Sequence, residues 1–179
     1  MKCISLWQPW ASALVCGSKR CETRSWRPPD FVIGKRIAIH ASKPWRTDER
    51  EWAERLAARH GINLGMDLAS PPLGAIVGIA TLVGWLTTER AFPDEITRLI
   101  ISTFHAGEPL PDDAPMTMYR GKAISTPDEY WLGNYEPGRF AWVFEDPVQF
   151  QTPIPYRGAQ GFFEVPDDII ALAAEGGSE

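Results

Sequence analysis

Apolar and polar positions alternate at the start of the chain. Ile4 and Leu6 fall between Cys3, Ser5 and Trp7, which predicts a short strand over 3–7. Gln8-Pro9-Trp10 then opens a helix, because proline suits the first helical turn, where its missing N–H has no partner to lose. Trp10, Ala13, Leu14 and Cys16 recur near helical spacing, and Gly17 stands where a left-handed cap belongs. Alternation resumes over 19–26. Lys19, Cys21, Thr23 and Ser25 share one face, and Arg20, Glu22, Arg24 and Trp26 the other, until Pro28-Pro29 breaks the strand.

Residues 35–41 predict a buried strand. Thr47 or Asp48 caps a helix that runs to His60 and stops at Gly61, with Trp52, Ala53, Leu56 and Ala57 as its apolar stripe. Gly74 to Leu86 is long, β-branched and almost uncharged, so it is expected to be a central strand buried on both faces. A third helix is expected over 93–105, opened by Pro93 and followed by Gly107. Residues 107–130 carry turn residues and acids and predict an excursion over the surface. Phe140 to Phe150 is a further strand, with Asp146-Pro147 marking a bulge or edge. Gly161 to Val165 is the last strand. Asp167 or Asp168 caps a short helix through Ala174, and the tail after it frays.

About six strands and three or four helices, without regular βαβα alternation, exclude a doubly wound parallel sheet. The fold class is α+β and mostly β, a small barrel with external helices. At 179 residues the chain is one domain, placed at 1–166, with a surface insertion around 107–135 and a short helix and tail at 167–179.

Composition changes this picture in three ways. The 16 Pro and 15 Gly argue for short elements over long helices, and 8 Trp is several-fold above ordinary usage. The three cysteines lack CxxC spacing and a paired histidine, so Cys3, Cys16 and Cys21 are read as reduced thiols, with no metal site and no cofactor. No apolar run reaches the roughly 18 residues of a membrane span, and no signal-like segment opens the chain, so the expectation is a cytoplasmic protein without membrane contact.

The net charge of −5 conceals a split. Residues 1–60 hold 12 Lys and Arg against 6 Asp and Glu, and residues 1–46 hold 9 against 2. The rest of the chain is acidic. A basic first third is what a phosphate backbone requires, although a solvated basic face has the same composition.

The stretch from Ile4 to Trp26 contains Gln8-Pro9-Trp10-Ala11-Ser12, then Gly17, Lys19, Glu22 and Arg24 in the pattern G-x-K-x-x-E-x-R, then Arg24-Ser25-Trp26. In that order and spacing it resembles the ASCH (activating signal cointegrator homology) domain of the PUA-like superfamily, most like the branch at the C-terminus of a eukaryotic transcriptional coactivator. Ile37 to Lys43 is similar to the family's second barrel strand, and Pro153 to Phe163 to its closing segment. The resemblance implies a small PUA-like β-barrel. It implies binding of RNA, single-stranded nucleic acid or a nucleotide in a cleft beside the first helix. Some small family members remove an acyl group from N4-acetylcytidine, and a ribonuclease has been described.

Within that frame, Glu22 is expected to orient Arg24 or accept a hydrogen bond from a base edge, with Arg24 and Lys19 on phosphate or carbonyl. Lys19 and Glu22 are three apart, so an ideal strand sets them on opposite faces; a turn near Lys19 is needed to bring them together. Of the aromatics in the basic third (Trp7, Trp10, Trp26 and Trp45), Trp10 and Trp26 bracket this segment and are the stacking candidates. Core packing is the alternative for each. His40 ends a buried strand, as an acid or base or as a satisfied strand-end histidine. Ser42 and Lys43 offer an anion site. Arg157 and Gln160, among glycines that allow close backbone approach, offer a ligand edge or an ordinary turn. The loop from Trp131 to Arg139 either rims a pocket or shields an edge.

A hydrolase would use Lys19 and Glu22. The deacylating branch pairs its lysine with a threonine and a distant glutamate; Lys19 matches, but Glu22 stands where that branch has threonine and Thr23 is one residue off. Cys16 and Cys21 flank basic residues that would lower a thiol pKa, against the commoner case of an inert buried cysteine. The leading reading is a binding module, followed by the amidohydrolase or ribonuclease, then a protein-interaction domain suggested by the acidic later part.

Overall fold

The computed structural model describes residues 1–87, 89–91, 98–100, 118–119, 122–123, 129, 131–136 and 138–175. In chain order the elements are β1 (Lys2–Leu6), α1 (Trp10–Val15), β2 (Cys21–Arg24), a 3₁₀ turn (Asp30–Val32), β3 (Lys35–Ala41), α2 (Thr47–His60) and β4 (Ala75–Thr87). They continue with β5 (Glu89–Ala91), β6 (Arg98–Ile100), β7 (Met118–Tyr119), β8 (Lys122–Ala123), β9 (Phe140–Pro155), β10 (Phe162–Glu164) and α3 (Asp167–Glu175).

Six strands form one curled sheet in the order β10-β1-β3-β4-β9-β2, a half-barrel with a few helices. Only β1 and β3 pair in parallel; the other neighbours are antiparallel. Curvature comes from the two longest strands. The β4–β9 register slips at three points, and one slip spans Asp146 and Pro147, where Asp146 has φ 48°. That is the bulge expected at Asp146-Pro147, and it bends β9 around the core.

The concave face carries the main core. Ile4, Leu6, Ile37, Ile39, Leu82 and Trp142 pack there against Leu14 and Val15 of α1. Residues Ala11 to Val15 of that helix are all buried, because α1 lies between the sheet and a second layer built from α2, Ile62, Leu64 and Leu132. The approach is close: a Cβ on Gly78 would stand 2.8 Å from the Val15 side chain and 2.3 Å from the Val148 carbonyl oxygen. On the convex face Cys3, Ile76, Phe150 and Val165 pack against Ile170 of α3.

Three expectations change. β2 is shorter than 19–26, and Lys19 and Arg20 precede it in irregular backbone. β9 runs five residues past Phe150, pairing Pro155 with Ala75. The helix expected over 93–105 is not what its described part forms: Arg98–Ile100 is a strand paired with Glu89–Ala91. A short apolar run with a β-branched residue suits either state, and the available partner strand decides. The rest of that segment, most of 107–130 and the tail after Glu175 lie outside the described residues. Among the described residues no helix is long and apolar enough to cross a membrane.

Candidate functional site

A cavity of about 500 Å³ opens at the end of the half-barrel where β1 runs into α1. That volume is within the range of small-molecule sites. Ser5 comes from β1 and Trp7 from just after it, Trp10 from the first position of α1, Lys19 from the irregular backbone before β2, and Glu22 and Arg24 from β2 itself. The opposite wall is Trp52 of α2 with Trp131 to Asn134, and Arg139 closes one side.

The charged floor is preorganised. Glu22 Oε1 lies 2.9 Å from Arg24 Nε, and Glu22 Oε2 lies 3.5 Å from Lys19 Nζ. The Arg24 Nε–H is not directed along its contact, so charge rather than a linear hydrogen bond holds that pair. Arg24 Nη2 donates to the Ser5 carbonyl at 3.2 Å and fastens β2 to β1. Lys19 has no exposed side-chain surface; its amine donates to the carbonyls of Cys21 and, at 2.7 Å, Leu132. Because Lys19 precedes the regular strand, it escapes strict alternation and meets Glu22. This is the turn that sequence spacing demanded.

A second set of bonds fixes the far wall. Glu129 is buried. Its Oε2 accepts the Arg20 N–H at 2.6 Å, and its Oε1 accepts the Cys21 N–H and the Tyr135 hydroxyl, each at 2.9 Å. Burial pushes the Glu129 carboxyl above its usual range, opposed by the charge of Lys19 and by the two N–H donors. Burial also pushes the Tyr135 phenol well up. Thr23 Oγ1 accepts the Asn134 N–H at 2.9 Å, and the Thr23 carbonyl accepts from Arg139 Nη2 at 3.3 Å.

The aromatic walls carry stacked partners of their own. His60 stacks on Trp131 with centroids 4.6 Å apart, Arg55 lies over Trp52 at 5.5 Å, and Arg46 lies over Trp7 at 4.8 Å. Four indoles, a carboxylate and three cations therefore line one concavity. Such a site can sandwich a planar ring and hydrogen-bond its edge.

Of the residues singled out by sequence, Trp10, Lys19, Glu22 and Arg24 are brought together here. Trp131 to Asn134 and Arg139 of the later loop supply cavity wall, the first of its two readings. Trp26 is placed elsewhere: it packs edge-on against Trp142 at 4.6 Å and touches Phe162, filling the seam between edge strands β2 and β10. His40 is a satisfied strand-end histidine. Nε2 donates to the Tyr156 carbonyl at 3.1 Å, which leaves Nδ1 to accept from Ser5 Oγ at 3.0 Å. Burial lowers its pKa. The Ser42 N–H donates to the Leu6 carbonyl, the Lys43 stem lies along Gly74, and Arg157 and Gln160 are exposed in the turn before β10. None of these lines the cavity.

The cysteines are free, as expected, and Cys21 takes the buried alternative: burial, with the Glu129 charge, raises its pKa well above normal. Sequence reasoning passed over Trp52, read only as core stripe, and Glu129, which carries no local signal. Trp7 was set behind Trp26, although it follows the strand that ends at the cavity. Among the described residues no cluster of three potential metal ligands occurs.

A family model, "ASCH domain", matches residues 4–101. Human activating signal cointegrator 1 is 37% identical over 99 residues, which cover 51% of this chain and 16% of that protein. The mouse protein of the same name is 34% identical over 104 residues, with the same coverage. The chain thus spans about a sixth of these relatives' length. The crystal structure of ASCH from Zymomonas mobilis superposes with a TM-score of 0.46 at 16% identity, covering 94% of this chain and 89% of that one.

Proposed function

This chain belongs to the ASCH domain family, a family commonly RNA-binding, and we propose that it is a binding module for RNA, single-stranded nucleic acid or a modified nucleotide. One base enters the cavity beside α1. It stacks on the indoles of Trp7, Trp10, Trp52 or Trp131, and its edge meets Glu22 and Arg24. The observation that carries this reading is the convergence of four indoles on an ion pair inside one 500 Å³ cavity. Each base–indole stack contributes about 1–3 kcal/mol whatever the base. Glu22 accepts from an exocyclic amine or ring N–H, and Arg24 donates to a ring carbonyl. Trp26, His40, Ser42, Lys43, Arg157 and Gln160 take no part in it.

Titration with modified and unmodified nucleosides and short RNA and DNA strands, followed by tryptophan fluorescence, tests it. Saturable quenching that is lost in Arg24→Ala is the expected result. A panel that quenches nothing rejects the reading and moves weight to a protein-interaction domain. Lys19 and Glu22 meet inside the cavity, which is the observation favouring a hydrolase. Chromatography of the same samples addresses it: product that disappears in Lys19→Ala makes Lys19 catalytic.

A further inference from the structure

We infer that Arg46 is the phosphate contact at the mouth of this cavity, so that the ligand is a nucleotide, free or within a strand, rather than a nucleoside. The inference rests on the base-binding reading above and adds the group that the cavity itself leaves unheld.

Among the described residues every cation lining the cavity is already committed. Lys19 is tied to two carbonyls and Glu22, Arg24 to Glu22 and the Ser5 carbonyl, and Arg139 to the Thr23 carbonyl. These groups can meet the edge of a base, but a phosphate would have to displace their partners. Outside, a base stacked on Trp7 or Trp10 places its sugar and phosphate at the mouth. Trp7 is 44% exposed there, and the Arg46 guanidinium lies 4.8 Å from its ring centroid.

The guanidinium is held without being consumed. Among the described residues no carboxylate stands within 4 Å of it, whereas Arg50 and Arg55 further along α2 are paired with Glu54 and Glu51. The nearby acids of the first turn do not cancel it: Glu49 is buried and spends one oxygen on the Arg46 backbone N–H at 2.9 Å, and Asp48 makes no ion pair with it. The backbone beneath is fixed by that bond and by the Ser42 N–H on the Leu6 carbonyl at 2.8 Å. An arginine seated on an indole keeps its planar donor edge open, and that edge matches two phosphate oxygens.

The test compares a nucleoside that quenches fluorescence, its 5′- and 3′-monophosphates and a dinucleotide, on wild type, Arg46→Gln and Arg59→Gln. Arg59 is a basic residue of the last turn of α2 and controls for loss of one charge elsewhere. A charge-assisted contact corresponds to at least about tenfold in affinity. Wild type and Arg59→Gln are expected to bind a monophosphate about tenfold tighter than the nucleoside. Arg46→Gln is expected to bind both alike. A preference for the dinucleotide over both monophosphates assigns the contact to an internucleotide phosphate; a preference for one monophosphate assigns it to a terminal one. Equal binding of nucleoside and nucleotides by wild type, or a phosphate advantage that survives Arg46→Gln, overturns the inference and leaves base binding intact. No binding of any of them overturns both.

Discussion

Glu22 and Arg24, two residues apart on a four-residue strand, point to the same face and meet at 2.9 Å inside the cavity. Glu22 is only 13% exposed, so the pair is partly desolvated and its geometry is set before a ligand arrives. Arg24→Ala removes one of the two cations paired with Glu22 and the bond to the Ser5 carbonyl together. Ligand affinity is expected to fall at least tenfold, about 1.4 kcal/mol, measured by fluorescence titration. Retention of full affinity would place the ligand elsewhere.

Glu129 holds two backbone N–H groups and a tyrosine hydroxyl in a buried site next to Lys19. Glu129→Ala removes their shared acceptor, and leaves Lys19 without one of its two neighbouring carboxylates. Stability is expected to fall by about 3 kcal/mol, read from the midpoint of urea denaturation. A loss of only a few tenths would mean that water replaces the carboxylate.

The turn before β10 sits directly on the Ser5–His40 pair. A Cβ at residue 158 would stand 2.5 Å from His40 Cε1 and 2.9 Å from Ser5 Oγ. Gly158→Ala is therefore expected to cost about 1–3 kcal/mol through overpacking, measured by thermal unfolding. Gly34→Ala is a useful contrast: the φ of 75° would strain an alanine, but its Cβ would meet nothing within 4 Å.

His40 binds a proton less readily folded than unfolded, because burial lowers its pKa from 6.5. The unfolded chain therefore holds more protons between the lowered value and 6.5, and stability rises with pH across that window. Its contribution is complete above 6.5 and is lost as pH falls towards the folded pKa. Urea midpoints taken from pH 5 to 8 should show this slope in the wild type and a reduced one in His40→Asn. Identical slopes would assign the titration to another group.

The thiols differ in access. Burial raises Cys3 to about 12 and Cys21 well above normal, while Cys16 is half-buried. Thiolate is the reacting species. Native protein is expected to take up iodoacetamide at Cys16 first, with Cys3 and Cys21 labelled only after denaturation, as followed by mass spectrometry. Rapid native labelling of Cys21 would show that the wall held by Glu129 opens.

Features that depend on neighbours a few residues away were legible in the amino-acid order. Side-chain alternation put Glu22 and Arg24 on one face. The uncharged β-branched run predicted the central strand β4, and Asp146-Pro147 predicted the bulge that curls β9. The ordered Gly17, Lys19, Glu22 and Arg24 pattern pointed to the family. Contacts closed across a hundred residues or more were not legible in the amino-acid order. The Leu132 carbonyl reaches Lys19, Glu129 caps Arg20 and Cys21, and the Tyr156 carbonyl fixes the tautomer of His40. Trp7 and Trp26 are both indoles in the basic third. One faces the cavity and the other plugs the seam against Trp142 and Phe162 because the curl of the sheet brings β2 towards β10. Local spacing sets which face a side chain takes; which surface that face meets depends on how distant strands pair and how strongly the sheet they form bends.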